Sequence, residues 1–366
     1  MKTALTNLIK FLAFAGVGVT ILYLVYQQQE ANYLAKCAAD GTAEADCSLM
    51  DKLIADFRGL NYWWILMVMV TFSLSNLSRA IRWGMLLQPL SHRPRLVNTY
   101  ATVIIGYLAN MFLPRIGEVV RGATLSRYEK IPVEKVMGTI VLDRLMDVLF
   151  LLLFVGLAFV LEFDVLRGFL EENLPEDFSW YRFFQSPLFL GLFAVGLLGL
   201  GLLYAFRQRV QQSAFYRKIT DLLRGFAEGL RTIRQLEKPG LFLLHSANVW
   251  LMYYLMNYLC FFAFAPTAHL SPGAGLMVFI FGAFGIVIPS PGGMGSYHWL
   301  AIQALALYGI DSDDAFSFAN IAYVTIQIVY NFLIGVLCFL LIGWLNRRYV
   351  PPVTPQNDSN EALATN

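Results

Sequence analysis

Charge is scarce in this sequence. Of 366 residues only 14% are Asp, Glu, Lys or Arg, against 57% that are hydrophobic, whereas soluble domains carry about 25% charged residues. That shortage excludes an ordinary soluble protein and leaves a chain built for a bilayer. Histidine and cysteine are equally thin, with four of each, and no Cys/His spacing matches a zinc site. Basic residues are not interleaved with aromatics in a patch, so nucleic acid is not an expected partner. No G-x-x-x-x-G-K-[ST] phosphate loop is present, and no nucleophile–base pair or metal cluster is legible. Neither a cofactor nor catalysis is expected.

What the chain has is apolar runs and a lopsided distribution of its few charges. Leu8 to Tyr26 reads as a first span, longer than a signal-peptide core and so an uncleaved anchor. The stretch from Gln27 to Asn61 is acidic; residues 1–60 thus read as an anchor span plus an external loop. Cys37 and Cys47 share that loop, and an oxidising compartment would permit a disulfide between them. Cys260 and Cys338 sit in apolar runs and read as packing residues. Tyr62 to Leu77 is the next span, with Trp63 and Trp64 as an interfacial belt. Arg79, Arg82, Arg93 and Arg95 follow it and mark a cytoplasmic loop by the positive-inside rule.

Two Pro/Gly interruptions then organise the rest. Asn110-Met-Phe-Leu-Pro-Arg-Ile-Gly-Glu-Val-Val-Arg121 breaks the first, since Pro114 removes a backbone donor and disfavours helix at Leu113. If helix resumes, Arg115, Glu118 and Arg121 share one face. Val97 to about Arg127 is read as a re-entrant hairpin from the cytoplasm, because the basic loop after Leu113 would otherwise lie outside. Met137 to Leu161 spans, the acidic Glu162 to Tyr181 is external, and Ser186 to Phe206 returns. Within the basic stretch that follows, residues 215–233 read as an amphipathic helix for an anionic leaflet or for the protein's own underside.

Gly240 to Phe264 crosses outward, Gly273 to Ile288 enters from outside, Pro289 to Gly295 breaks it, and Trp299 to Tyr308 continues. Phe316 to Leu345 crosses inward, and residues 346–366 read as a disordered cytoplasmic tail. All Lys and Arg except Lys36, Lys52, Arg58, Arg167, Arg182 and Arg144 then fall on the cytoplasmic side. The expectation is an all-α polytopic membrane protein with about six full spans and two re-entrant broken helices. Repeat one covers about residues 61–162, a linking span and basic helix 186–239, and repeat two about 240–345. The repeats are inverted, which points to a substrate site at their interface. The alternative is that both broken segments cross fully.

The residues expected to carry function follow from that plan. Asp143, Arg144 and Asp147 lie in a span, where ionisable groups are costly and face a cavity, although an ion-pair cluster locking two helices would use the same residues. A guanidinium suits a phosphate. Asn110 can cap the broken helix or coordinate a ligand. Gly292, Gly293 and Gly295 permit close approach of an anion to backbone amides. His298 is either a group that titrates near neutral pH or a structural residue. Asn248, Asn257, Gln327 and Asn331 read as interhelical hydrogen-bonding positions.

Three motifs in order, Asn110-x-x-x-Pro114-Arg115-x-Gly117-Glu118-x-x-Arg121, Asp143-Arg144-x-x-Asp147 and Pro291-Gly-Gly-Met-Gly295, resemble the lysylphosphatidylglycerol synthase transmembrane-region family. That group is also described as flippase-like. It includes the membrane half of multiple-peptide-resistance proteins and the membrane part of an archaeal glycosyltransferase. The likeness covers about Asn61 to Leu345. Asp143 and His298 stand where the family usually has Glu, and the second departure removes a carboxylate. With residues 346–366 after the last span, no aminoacyl-transfer domain is expected. The resemblance implies translocation, in a bacterial-type inner membrane with both termini cytoplasmic, of an anionic or aminoacylated phospholipid or a polyprenyl-phosphate-linked lipid. An ion-coupled transporter of a small solute is the second reading, and a membrane-embedded lipid-phosphate enzyme the third. The membrane-lipid phosphate headgroup is the expected partner; the oligomeric state is left open.

Overall fold

A computed structural model describes residues 2–41, 47–113, 115–173, 186, 191, 235–288 and 290–351. Among the described residues every regular element is helical. Pro114 and Pro289, helix 215–233, the tail beyond residue 351 and nearly all of the linking span expected at 186–206 lie outside the described residues. The chain divides into two compact units, Met1–Glu162 with Leu236–Asn366, and Phe163–Gln235.

The first unit begins with α1 (Lys2–Ala39), α2 (Leu49–Arg58) and α3 (Tyr62–Leu87). It continues through α4 (Leu96–Phe112), α5 (Ile116–Glu129) and α6 (Val133–Leu161). Within the second unit the described helix is α7 (Phe163–Asn173), which carries an Arg167–Glu171 ion pair of 2.7 Å. Back in the first unit come α8 (Pro239–Phe261), α9 (Pro272–Val287), α10 (Ser296–Ala306) and α11 (Ser312–Tyr323). A π-helical stretch, Val324–Ile334, joins α11 to α12 (Gly335–Leu345) without a break.

Three boundaries depart from the sequence reading, each for a physical reason. The first helix runs on past Tyr26 to Ala39, because Gln, Glu, Ala and Lys are strong helix formers; polarity there ends lipid burial, not the helix. The third helix continues ten residues past Leu77 to Leu87, since Arg79 and Arg82 find carboxylates on α6 and need no exit to water. The acidic stretch after Glu162 opens with a helix, α7.

Helix ends are set locally. Asn61 and Ser271 accept N–H bonds at the starts of α3 and α9, and Pro272 occupies the first turn of α9. Among the described residues three helical stretches, Tyr62–Leu90, Val133–Leu161 and Ser312–Leu345, are long and apolar enough to cross a membrane. Helices α4 and α9 are apolar but shorter, 17 and 16 residues, or about 25 Å at 1.5 Å per residue, less than the ~30 Å hydrocarbon core. Each instead folds back against its successor, α4 on α5 and α9 on α10.

The packing maps onto itself when the halves are exchanged. Among the described residues, helices α3 and α8, each first in its half, share the most extensive helix–helix interface. Hairpin α4–α5 packs between α3, α6 and α12; hairpin α9–α10 packs between α8, α11 and α6. The connection into α4 contains His92, Arg93 and Arg95, whereas the connection into α9 has no Lys or Arg. By charge the two hairpins therefore start from opposite faces. The protein is an all-helical, polytopic membrane protein with two broken-helix hairpins in inverted repeats.

At one end a clasp joins α1 and α2 to the start of α11. Cys37 and Cys47 are disulfide-bonded, with Cα atoms 6.4 Å apart. Lys36 bonds Asp311 at 2.6 Å and Asp313 at 3.1 Å; Lys52 bonds Asp314 at 2.7 Å and Asp56 at 2.8 Å. The hydrogen bond to Asp311 raises the pKa of Lys36, with Asp313 adding to it. Burial opposes the charge on Lys52, but its bonds to Asp314 and Asp56 outweigh that and raise its pKa too.

Candidate functional site

The site is assembled from α3, α5 and α6. On α6, Asp143 and Asp147 lie one turn apart and point into the bundle, both buried. From α3, Arg79 bonds Asp147 at 2.7 Å and Asp143 at 3.4 Å. Arg82, one turn further on, pairs with Asp143 and reaches Asp147 at 2.8 Å. Arg121 of α5 donates to Asp143 at 2.8 Å and lies 4.1 Å above the ring of Trp83. The Trp83 indole in turn donates to Thr139 at 3.0 Å. Isolated charges at this depth would be costly, and carboxylates alternating with guanidinium forks are what makes the cluster tolerable.

Arg144 occupies the edge of the cluster. It pairs with Glu118 at 2.5 Å and with Asp147 at 3.5 Å, yet its side chain stays 41% exposed. Counting Arg79, Arg82, Arg121 and Arg144 against Asp143, Asp147 and Glu118, the cluster keeps one positive charge in excess. No protein acceptor among the described residues bonds the Nη2 of Arg144.

A cavity of about 420 Å³ opens beside Arg144, between the repeats. That is within the ~300–1,000 Å³ range of ligand pockets. Arg79, Arg144, Asp147, Tyr107 and Asn110 line it from repeat one; Trp250, Tyr253, Asn257, Gly292, Gln327 and Asn331 line it from repeat two. Tyr107 and Tyr253 meet across the repeat boundary, hydroxyl to hydroxyl at 3.0 Å. Gln327 and Asn331 belong to the π-helical stretch and bond each other at 2.9 Å. π-Helical geometry within a longer α-helix is rare and often falls at functional positions.

One side of the cavity is aliphatic and open. Helices α6 and α9 touch through Phe154 and Phe279, ring centroids 5.7 Å apart, with Trp250 5.9 Å from both. Further along, Val148 of α6 and Ile286 and Val287 of α9 line the cavity while remaining 50%, 51% and 58% exposed. These three side chains give the cavity an exposed aliphatic rim.

The residues expected from sequence divide into two groups. Asn110, Glu118, Arg121, Asp143, Arg144 and Asp147 come together at the cluster and cavity. Asn110 does both things foreseen for it, lining the cavity while its Oδ1 accepts the Gly117 N–H at 2.7 Å to cap the start of α5. Arg115 stands apart, exposed at the hairpin tip with left-handed backbone (φ 67°) that turns it off the face of Glu118 and Arg121. Gly292 lines the cavity, but Gly293 and Gly295 make close packing contacts. A Cβ on Gly295 would sit 2.8 Å from Ile21 of α1, and one on Gly293 3.1 Å from Ile286. Turn hydrogen bonds already use the Gly293 and Met294 amides. His298 is buried beside Tyr323, ring centroids 4.7 Å apart, and does not line the cavity.

Arg79 and Arg82 are the residues that sequence reasoning missed. Their spacing of three, in phase with Ser75 and with Asn76, is the signal that would have kept them on one buried helical face.

Fold and site together define a class: polytopic helical membrane proteins whose opposed broken helices enclose a guanidinium-lined cavity with an exposed aliphatic rim. A family model described as the lysylphosphatidylglycerol synthase TM region matches residues 47–345. The chain belongs to that family. The UPF0104 membrane protein MJ1595 of Methanocaldococcus jannaschii is similar to it, 26% identical over 123 residues, or 33% of this chain and 36% of that protein. The chain thus spans little more than a third of the length of that curated relative. No solved structure matches the chain.

Proposed function

We propose that the protein moves a phosphate-bearing lipid between leaflets: an anionic or aminoacylated phospholipid, or a polyprenyl-phosphate-linked lipid. The observation that carries this reading is the juxtaposition of Arg144 with the aliphatic rim. A half-exposed guanidinium with free donor capacity fits a phosphate. Val148, Ile286 and Val287 beside it give acyl chains a place to remain in the bilayer while the headgroup enters. A soluble solute would need no such rim.

Transport rather than catalysis is the proposal because the cluster's carboxylates are committed. Asp143 is held by Arg79, Arg82 and Arg121, and Asp147 by Arg79, Arg82 and Arg144, which leaves neither free as a general base. Movement is passive or gradient-driven. The proposed setting is a bacterial-type inner membrane with both termini cytoplasmic. Support comes from the basic connection into α4 at one end and the Cys37–Cys47 disulfide at the other, which suits an oxidising exterior.

The test is transbilayer movement of labelled phospholipids and a polyprenyl phosphate in liposomes, comparing wild type with Arg144→Ala. Protein-dependent movement lost in the folded variant supports the reading. Equal movement in both, or none with any lipid, contradicts it.

A further inference from the structure

The charges around the cavity do not cancel, and the remainder bears on the charge of what can enter. Among the described residues that line it, Arg79, Arg144 and Asp147 are the charged side chains, two cations against one anion. The side chains paired with these, directly or through Asp143, are Arg82, Arg121, Asp143 and Glu118. They add two guanidinium groups and two carboxylates, so the excess stays at a single positive charge on either count. Arg79, Arg82 and Arg121 are buried, whereas Arg144 keeps exposed surface at the cavity.

Most of the remaining wall is apolar, with Phe72, Leu151, Met256, Phe279 and Ile326 among its residues. An ion that enters therefore gives up much of its water, and two effects compete as its charge rises. Attraction to the site grows in proportion to the ligand's charge. The cost of removing water grows as the square of that charge. Doubling the charge thus doubles the attraction but raises the desolvation cost about fourfold. Asp147, on the same wall, also repels the second negative charge. One negative charge brings site and ligand to neutrality; two leave an uncompensated anion inside the bundle.

We infer that the cavity takes a phosphate bearing one negative charge, a lipid phosphodiester, and disfavours doubly charged phosphomonoesters such as phosphatidate or a free polyprenyl phosphate. The inference rests on the lipid-transport reading above and narrows its substrate class. Glu118 sets the count. It pairs with Arg144 at 2.5 Å, is 35% exposed and does not line the cavity, so its charge can be removed without changing the wall.

The test is displacement of radiolabelled phosphatidylglycerol from the purified full-length protein in nonionic detergent. The competitors are phosphatidylmethanol, phosphatidate of the same acyl chains, and water-soluble dimethyl phosphate. At about pH 8.5, well above a second phosphate pKa of about 6, phosphatidate carries two charges. Phosphatidylmethanol differs from it by one methyl group and carries one. In wild type, phosphatidylmethanol is expected to displace the label at about tenfold lower concentration than phosphatidate. Glu118→Gln raises the excess to two and is expected to bring the two lipids level or reverse their order. Arg144→Lys keeps the count and should keep the order. Phosphatidate competing as well as phosphatidylmethanol in wild type overturns the inference, and so does an unchanged order in folded Glu118→Gln. The wild-type comparison decides by itself should that variant fail to fold.

Failure of the underlying reading looks different. Phosphatidylglycerol binding that is absent, or that Arg144→Ala leaves unchanged, removes the lipid-phosphate reading and this inference with it. Dimethyl phosphate competing as well as phosphatidylmethanol removes the lipid and leaves the charge assignment standing. If Arg144→Ala abolishes binding but wild type shows no preference, only the charge assignment falls.

Discussion

Arg82 and Asp143 form an ion pair in which neither side chain has any exposed surface. The two belong to α3 and α6, and the pair ties the first helix of repeat one to its last. Breaking a fully buried pair from one side strands the other charge, at a cost of about 3–5 kcal/mol. Arg82→Met is therefore expected to lower the melting temperature of the detergent-solubilised protein sharply, and Asp143→Asn likewise. Because Asp143 also faces Arg79 and Arg121, Asp143→Asn should be the more damaging of the two. A melt within a degree or two of wild type for both would mean the cluster is not what holds α3 to α6.

The first hairpin depends on close approach of its two arms. A Cβ on Gly117 would lie 2.1 Å from the Gly106 carbonyl oxygen and 2.6 Å from Asn110 Oδ1. Backbone cannot yield that distance cheaply, so Gly117→Ala should pry α5 from α4 and disturb the Glu118 and Arg121 pairs that hang from α5. Asn110→Ala leaves that close approach intact and removes the bond that caps α5, at an expected cost in stability of about 1 kcal/mol. Protection of α5 amides in hydrogen exchange is the measurement: lost in Gly117→Ala, and only frayed at the first turn in Asn110→Ala.

The clasp at the disulfide end makes a prediction about alkaline pH. Lys36 and Lys52 both have pKa values raised above the ordinary 10.5 in the folded protein. Their contribution is fully present below the unfolded value and disappears as pH rises through the folded one. Thermal stability should therefore decline across the range above about pH 10, and the decline should flatten when both lysines are replaced by arginine, which stays charged. An unchanged decline in that double variant would assign the alkaline loss to other groups.

Much of this architecture is visible in the sequence because bilayer physics leaves few options. The Pro/Gly breaks at Pro114 and Pro291, and the basic residues before one hairpin with none before the other, were enough to suggest opposed hairpins. Asp143-Arg144-x-x-Asp147 stood out because charge in a span is expensive. Arg79 and Arg82 did not stand out, since hydropathy ends a span where charge begins. Only the tertiary pairing with α6 shows that the helix goes on. The Gly-rich turn read as an anion cradle, yet the close contact of Gly295 with Ile21 depends on α1, a helix whose course no local pattern announces. The π-helical stretch is equally silent in sequence: Gln327 and Asn331 read as polar residues one turn apart, and their shared aim into the cavity follows from the backbone.

On the proposed function, Arg144 meets a lipid phosphate that enters across the aliphatic rim of the cavity. The most direct measurement replaces Val148 and Ile286, on the two sides of the rim, with cysteine in a protein whose Cys260 and Cys338 are serine, and follows transbilayer lipid movement before and after cross-linking them. With Arg144 in place, movement before cross-linking and its arrest afterwards, restored by reduction under conditions that spare the Cys37–Cys47 bond, is the predicted result. Movement that continues at its full rate through the cross-linked rim would contradict the account, because the headgroup would then be reaching Arg144 by another route or not at all.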